Sequence, residues 1–158
     1  VAVRCASFAE WIELLNETDV GSITLITGGA RSGKSSYAQR LALERSDRPV
    51  YLATSRVWDQ EHRLRIERHR ADRGPQWETV EEPKNLAAVI FAADGGGGLR
   101  DAVVHEFFFV TNEIGLGGVS TDPLQRRFTD LQGWVNQYIA QRAGSVVLMV
   151  SGIPIKVK

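Results

Sequence analysis

"SITLITGGARSGKSSYAQRLALERS", residues 22–46, is the stretch whose reading decides the fold. A short β-forming run, residues 22–27, enters a glycine loop, and a helical pattern follows through Ala38, Leu41, Ala42 and Arg45. Strand, glycine loop and helix open a βαβ unit. Gly28, four further residues, Gly33, Lys34 and Ser35 stand at the spacing of a phosphate-binding loop. Its glycines permit a tight turn with inward-pointing N–H groups, and the following helix N-terminus adds partial positive charge, so a polyphosphate is the expected ligand. In that reading Gly28, Gly29, Ala30, Arg31, Ser32, Gly33, Lys34, Ser35 and Ser36 bind the nucleotide. Lys34 reaches the terminal phosphates and the Ser35 hydroxyl binds Mg²⁺.

Working outward, "PVYLAT", residues 49–54, predicts the next strand, and "DQEHRLRIERHRADRG", residues 59–74, a helix begun by Asp59 and stopped by Gly74 and Pro75. "WETVEEP" predicts a short strand and turn, and "PKNLAAVIFAA" a helix. "DGGGG", residues 94–98, favours a flexible link. The apolar run within 102–113 suits a strand covered on both faces. Residues 120–144 predict a long helix with Asp122 as N-cap, Pro123 at its first position, and an apolar stripe of Leu124, Phe128, Leu131, Val135 and Ile139. "SVVLMVSG" is a further strand, and "IPIKVK" adds a short edge strand. At the front, "SFAEWIELLNE", residues 7–17, predicts an amphipathic helix with Ser7 and Glu10 as a capping box. Four or five strands alternating with helices argue α/β with a mainly parallel sheet, expected as a three-layer P-loop NTPase-like fold. The division expected is an N-terminal helical extension over 1–20 and a nucleotide-binding domain over 21–158.

Bulk properties narrow the function. The 158 residues carry 19 Lys plus Arg and 19 Asp plus Glu, so no global charge favours a nucleic acid or a membrane surface. Cys5 is the single cysteine, which excludes an intrachain disulfide and a CxxC site, and is compatible with a reducing, cytoplasmic setting. The chain opens on Val1, its first residues are too short and mixed for a signal peptide, and no run of 18 apolar residues predicts a membrane span. A short chain with this loop and no motor-like features favours a small-molecule kinase.

The words around the loop say more. "ITLITGGARSGKSSYAQRLA", "YLATSRVWDQEHRLRIERHRADRGPQWETVEEP", "VTNEIGLGGVSTDPLQRRFTDLQGWVNQYIA" and "VVLMVSGIPIKVK" resemble the bifunctional adenosylcobinamide kinase / adenosylcobinamide-phosphate guanylyltransferase family of cobalamin biosynthesis, over roughly four fifths of the chain. The resemblance implies two reactions. A nucleoside triphosphate, ATP or GTP, phosphorylates adenosylcobinamide; a histidine then takes GMP from GTP and passes it to adenosylcobinamide phosphate, giving adenosylcobinamide-GDP. The position matching the guanylylated histidine is His69. Its chemistry is reasonable on its own terms, because imidazole is nucleophilic near neutral pH and forms a labile phosphoramidate. His62, Ile66, His69 and Arg73 share one helix face, and five arginines over 61–73 leave that segment positive. Thr54, Ser55, Asn112 and Glu113 end two predicted strands, where α/β proteins place ligand groups, and are expected to bind nucleotide. Glu113 is a second candidate for the Mg²⁺ shell. A corrinoid is large for one small domain, and the family forms homo-oligomers, so a homo-oligomer is expected, a trimer ahead of a dimer, with Trp134 and Tyr138 either in the core or at the interface.

One block of the family's pattern has no visible counterpart: an apolar strand ending in an acidic residue and cysteine, followed by a turn and a helix, between the "EEP" and "TNE" words. Either a segment is missing near 94–98, or the chain is a deletion variant, or "AVIFAAD" is the strand with Asp94 as its carboxylate. Thr129 and Trp134 also stand where the family usually has arginines. Two other readings therefore stay open: a catalytically weakened nucleotide-binding relative, and another small-molecule kinase.

Overall fold

The computed structural model describes residues 2–4, 22–53, 60–71, 73–81 and 106–158. Its strands are β1 (Ala2–Arg4), β2 (Ser22–Gly28), β3 (Val50–Ala53), β4 (Glu78–Glu81), β5 (Glu106–Val110), β6 (Ser145–Val150) and β7 (Ile153–Lys156). Its helices are α1 (Lys34–Arg45), α2 (Gln60–Ala71) and α3 (Pro123–Arg142), with a 3₁₀ turn at Gly115–Gly117. The strands form one sheet in the order β4-β3-β1-β5-β2-β6-β7. Every neighbouring pair is parallel except β6–β7, which closes as an antiparallel hairpin.

Both faces of the sheet centre are dry, as the unbroken apolar runs require. Ile26 of β2, Phe108 of β5, and Val147 and Met149 of β6 form one cluster with Ala38 and Ala42 of α1. The alternate residues Leu25, Phe107 and Phe109 are also buried, and the Phe107 and Phe109 rings lie 6.2 Å apart. The small Ala38 and Ala42, four apart, let α1 lie close against the sheet. α3 starts where expected: the Asp122 side chain accepts from the Leu124 N–H at 2.9 Å, and Pro123 occupies the first position. At its other end the Gly144 N–H donates to the Ile23 carbonyl at 2.9 Å, fixing α3 to the start of β2.

Three expectations need revision. First, the described residues alone put seven strands in the sheet, more than the four or five read from sequence. Second, residues 2–4 are a strand between β3 and β5, within the span expected to be a helical extension. Third, the apolar stripe of α3 is split. Val135 and Ile139 are buried, whereas Leu124, Phe128 and Leu131 are 74%, 54% and 41% exposed, and Trp134 is 61% exposed. Only the second half of α3 lies on the sheet; the first half extends beyond it. The predicted helices over 7–17 and "PKNLAAVIFAA", the glycine run and Asp94 lie outside the described residues, as do Thr54 and Ser55. Among the described residues no helix is long and apolar enough to cross a membrane.

Candidate functional site

The glycine loop follows β2 and is held by its own backbone. Gly28 has φ +148°, and a Cβ there would stand 2.5 Å from the Met149 carbonyl oxygen and 2.9 Å from Ser32 Oγ, so no other residue fits without moving backbone. Gly33 enters α1 at φ +88°, in the left-handed region that favours glycine. Between them Arg31 also takes a left-handed conformation, φ 58°. The Ser32 carbonyl accepts from the Gly152 N–H at 3.0 Å, so the β6–β7 turn clasps the loop from one side. Gly29, Ala30 and Arg31 form an exposed crest, Ser32 is buried, Ser35 half-buried and Ser36 exposed. Lys34 is only 7% exposed, and its ammonium donates to the Gly29 carbonyl and to Ser32 Oγ. The loop thus wraps a cation at the N-terminus of a twelve-residue helix.

A second segment is brought to the same place. Beyond β5, the Thr111 N–H donates to the Ile26 carbonyl and the Glu113 N–H to the Gly28 carbonyl, each at 3.0 Å. The ladder between β2 and β5 therefore continues past the strand and delivers Asn112 and Glu113 beside the loop's first glycine. Asn112 is exposed and Glu113 half-buried. Ser35 supplies a hydroxyl and Glu113 a carboxylate. That donor pair suits Mg²⁺, which takes one or two carboxylates together with substrate phosphates and water. Among the described residues no cluster of three or more His, Cys, Asp or Glu would cage a metal without a phosphate.

Asn136 organises this corner. Its Nδ2 donates to the Asn112 carbonyl at 3.1 Å and to Glu113 Oε2 at 3.4 Å. Its Oδ1 accepts from the Thr111 hydroxyl at 2.8 Å and from Gln132 Nε2 at 3.1 Å. Gln132 Nε2 also donates to Thr111 Oγ1 at 2.6 Å. Buried amides need such partners. Sequence reasoning missed the group, although Gln132 and Asn136, four apart and next to the buried Val135, break an otherwise apolar face.

His69 is elsewhere. α2 follows β3, and β3 is separated from β2 by β1 and β5. Ile66, His69 and Arg73 are half-buried while Arg63, Leu64, Glu67 and Arg70 are exposed, so His69 lies on the more sheltered side of α2. The His62 side chain is outside the described set. Arg70 pairs with Glu81 of β4 at 2.9 Å, and the Arg73 guanidinium stacks 3.9 Å from the Tyr51 ring. The structure thus groups the glycine loop, Asn112 and Glu113 at one place and sets His69 apart from them, on the helix that follows β3.

Comparison with known proteins identifies the chain. The profile of the family "Cobinamide kinase / cobinamide phosphate guanyltransferase" matches residues 24–104 and 97–157. The chain belongs to this family. It is similar to the bifunctional adenosylcobalamin biosynthesis protein CobP of Pseudomonas aeruginosa, 36% identical over 166 residues, covering 85% of this chain and 96% of the relative. The CobU proteins of Escherichia coli and Salmonella typhimurium are 35% and 33% identical, each covering 85% of this chain and 98% of the relative. Within the cobinamide kinase / guanyltransferase family, the glycine loop, Lys34, Glu113, Asn136 and His69 all fall inside the matched residues.

Proposed function

We propose that the chain is a P-loop NTPase-like enzyme that phosphorylates adenosylcobinamide and then transfers GMP to the product through His69. The observation that carries the reading, within this family, is a cation wrapped by the glycine loop against the Glu113 segment. On binding a triphosphate, Lys34 exchanges its contacts with Gly29 and Ser32 for phosphate oxygens, while loop N–H groups and the α1 N-terminus face the remaining charge. Ser35 and Glu113 would hold Mg²⁺, which when bound would neutralise charge on the phosphates. The triphosphate of this step is ATP or GTP. In the kinase step the cobinamide hydroxyl oxygen bonds to the γ-phosphorus, the nucleoside diphosphate leaves, and the hydroxyl proton departs.

In the second step an imidazole nitrogen of His69 bonds to the α-phosphorus of GTP and pyrophosphate leaves. A phosphate oxygen of adenosylcobinamide phosphate then attacks the same phosphorus, and the imidazole departs with its original electron pair. The positive surface of α2 favours both anions. The test is incubation with α-labelled GTP, denaturation and peptide mapping. Label is expected on His69, and His69→Ala should lose all of it while keeping cobinamide phosphorylation. Label on another residue would reject the assignment; no label would favour a weakened relative.

The same reading includes a homo-oligomer, a trimer ahead of a dimer. Leu124, Phe128 and Leu131 in the free half of α3, Trp134 just past its middle, and Leu116 and Val119 before the helix are all exposed. Large apolar side chains left in water along one stretch of chain favour association. Light scattering is expected to show an oligomer at micromolar protein and a shift toward monomer in Trp134→Glu. A wild-type monomer at every concentration would end the claim.

A further inference from the structure

β1 occupies an unusual place. A strand of residues 2–4 sits inside the sheet, parallel to β3 on one side and to β5 on the other. In chain order β3 is followed by the edge strand β4 and then by β5, so the run from β3 to β5 leaves one interior position unfilled by its own residues. The family match shows a break at the corresponding point. It comes in two stretches that meet at residues 97–104, shortly before β5, and it begins only at residue 24. Because 85% of the 158-residue chain is about 134 residues, roughly 32 of the 166 positions aligned with the P. aeruginosa protein hold residues of the relative alone.

We infer that the segment ahead of β2 stands where relatives have an internal strand between β4 and β5, so that this chain is reordered with respect to its family, and that the reordering brings Arg4 to the nucleotide end of the sheet. The second part rests on the reading of the glycine loop as a triphosphate site. Arg4 is in register with Val110 of β5, and Val110 is in register with Ile26 of β2. Two strand spacings put the Arg4 and Ile26 backbones about 10 Å apart. Ile26 lies two residues before Gly28, and Val110 three before Glu113. β1 therefore ends at the carboxyl edge of the parallel strands, the edge where open α/β sheets bind ligands. The family's pattern has an acidic residue at the end of its internal strand, whereas β1 ends in a cation followed by Cys5. A cation there attracts a triphosphate directly, so nucleotide binding by this chain depends less on Mg²⁺ than a carboxylate would make it.

Two sets of variants test the inference. In the first, residues 1–20 are deleted, or moved between Gly96 and Gly97 with the chain beginning at Gly21. The deleted chain is expected to lose cooperative thermal unfolding, and the reordered chain to regain it and to bind GTP within about threefold of the wild type. A deleted chain that folds and binds GTP like the wild type would overturn the strand replacement, as would a reordered chain no better than the deleted one. In the second set, Arg4→Gln and Arg4→Asp are titrated calorimetrically with GTP in EDTA and in Mg²⁺. Expected losses in EDTA are about threefold and about tenfold, smaller in Mg²⁺ because the metal screens the phosphates. Wild-type affinity of Arg4→Asp in EDTA would remove Arg4 from the site. Lys34→Ala, run alongside, separates the causes: if it too binds normally, the triphosphate reading of the loop has failed along with the role of Arg4.

Discussion

α1 and α2 are both twelve residues long and both follow parallel strands, yet they are held in different ways. α1 rests on the sheet through Ala38 and Ala42, each about fully buried, and its first residue is the enclosed Lys34. α2 carries mostly charged residues, and among its described side chains Arg63, Leu64, Glu67 and Arg70 stand in water while Ile66 and His69 are half-buried. Under the proposed function, two chemical tasks would account for the contrast. A loop that grips phosphates works by fixed donors, and rigid seating keeps those donors aligned. A side chain that receives a nucleotidyl group and passes it on has to meet two successive partners, and a charged, lightly packed helix suits that role.

The largest test of this contrast is Lys34→Ala. Losing the wrapped cation should weaken Mg²⁺–GTP binding at least about 100-fold, because charge-assisted bonds to phosphate are lost. Calorimetry showing equal affinity in both proteins would break the comparison at its stronger side. Asn136→Ala probes the scaffold of that side. It strips partners from Thr111, the Asn112 carbonyl and Glu113 together, and should destabilise the fold by about 2 kcal/mol in denaturant titration. Because Asn136 Nδ2 donates to Glu113 Oε2, the same change should lower the kinase rate more than it raises the KM for nucleotide. A loss below about 0.5 kcal/mol would mean the network is replaceable by water. The smallest effect belongs to α2. Arg70→Ala removes an ion pair whose partners are more than half exposed, and should cost no more than about 0.5 kcal/mol. A cost several times larger would show that α2 is seated as firmly as α1.

Much of the α1 side was legible in the sequence. The glycine spacing, the helix after it, the Asp122 cap and the strands around β2 all depend on local patterns, and each appears where those patterns put it. The word "TNE" marked a strand end, although nothing local showed that its backbone would bond to Gly28. What was illegible depended on partners distant in the chain. β1 has three residues, too few to carry an alternation, and only its pairing with β3 and β5 makes it a strand. Leu124, Phe128 and Leu131 repeat like core residues, but periodicity says which face is apolar and not what covers it. Asn136 escaped notice because a single amide in an apolar face reads as a blemish until its four bonding partners are placed around it.

The order of the sheet also bears on how the protein avoids joining to itself edge to edge. Among the described residues its two margins are β4 and β7. β4 presents Glu78 and the Arg70-paired Glu81 to solvent, so a second copy laid along it would set Glu78 against a like charge and bury an ion pair. β7 is apolar enough to invite pairing, with Ile153 and Ile155 exposed, but Pro154 has no N–H to offer and Lys156 adds charge. One margin is guarded by repulsion and the other by a missing donor. The polymerising tendency of open strands is thereby blunted at both ends, which leaves the exposed apolar side chains of α3 as the surface on which the proposed oligomer depends.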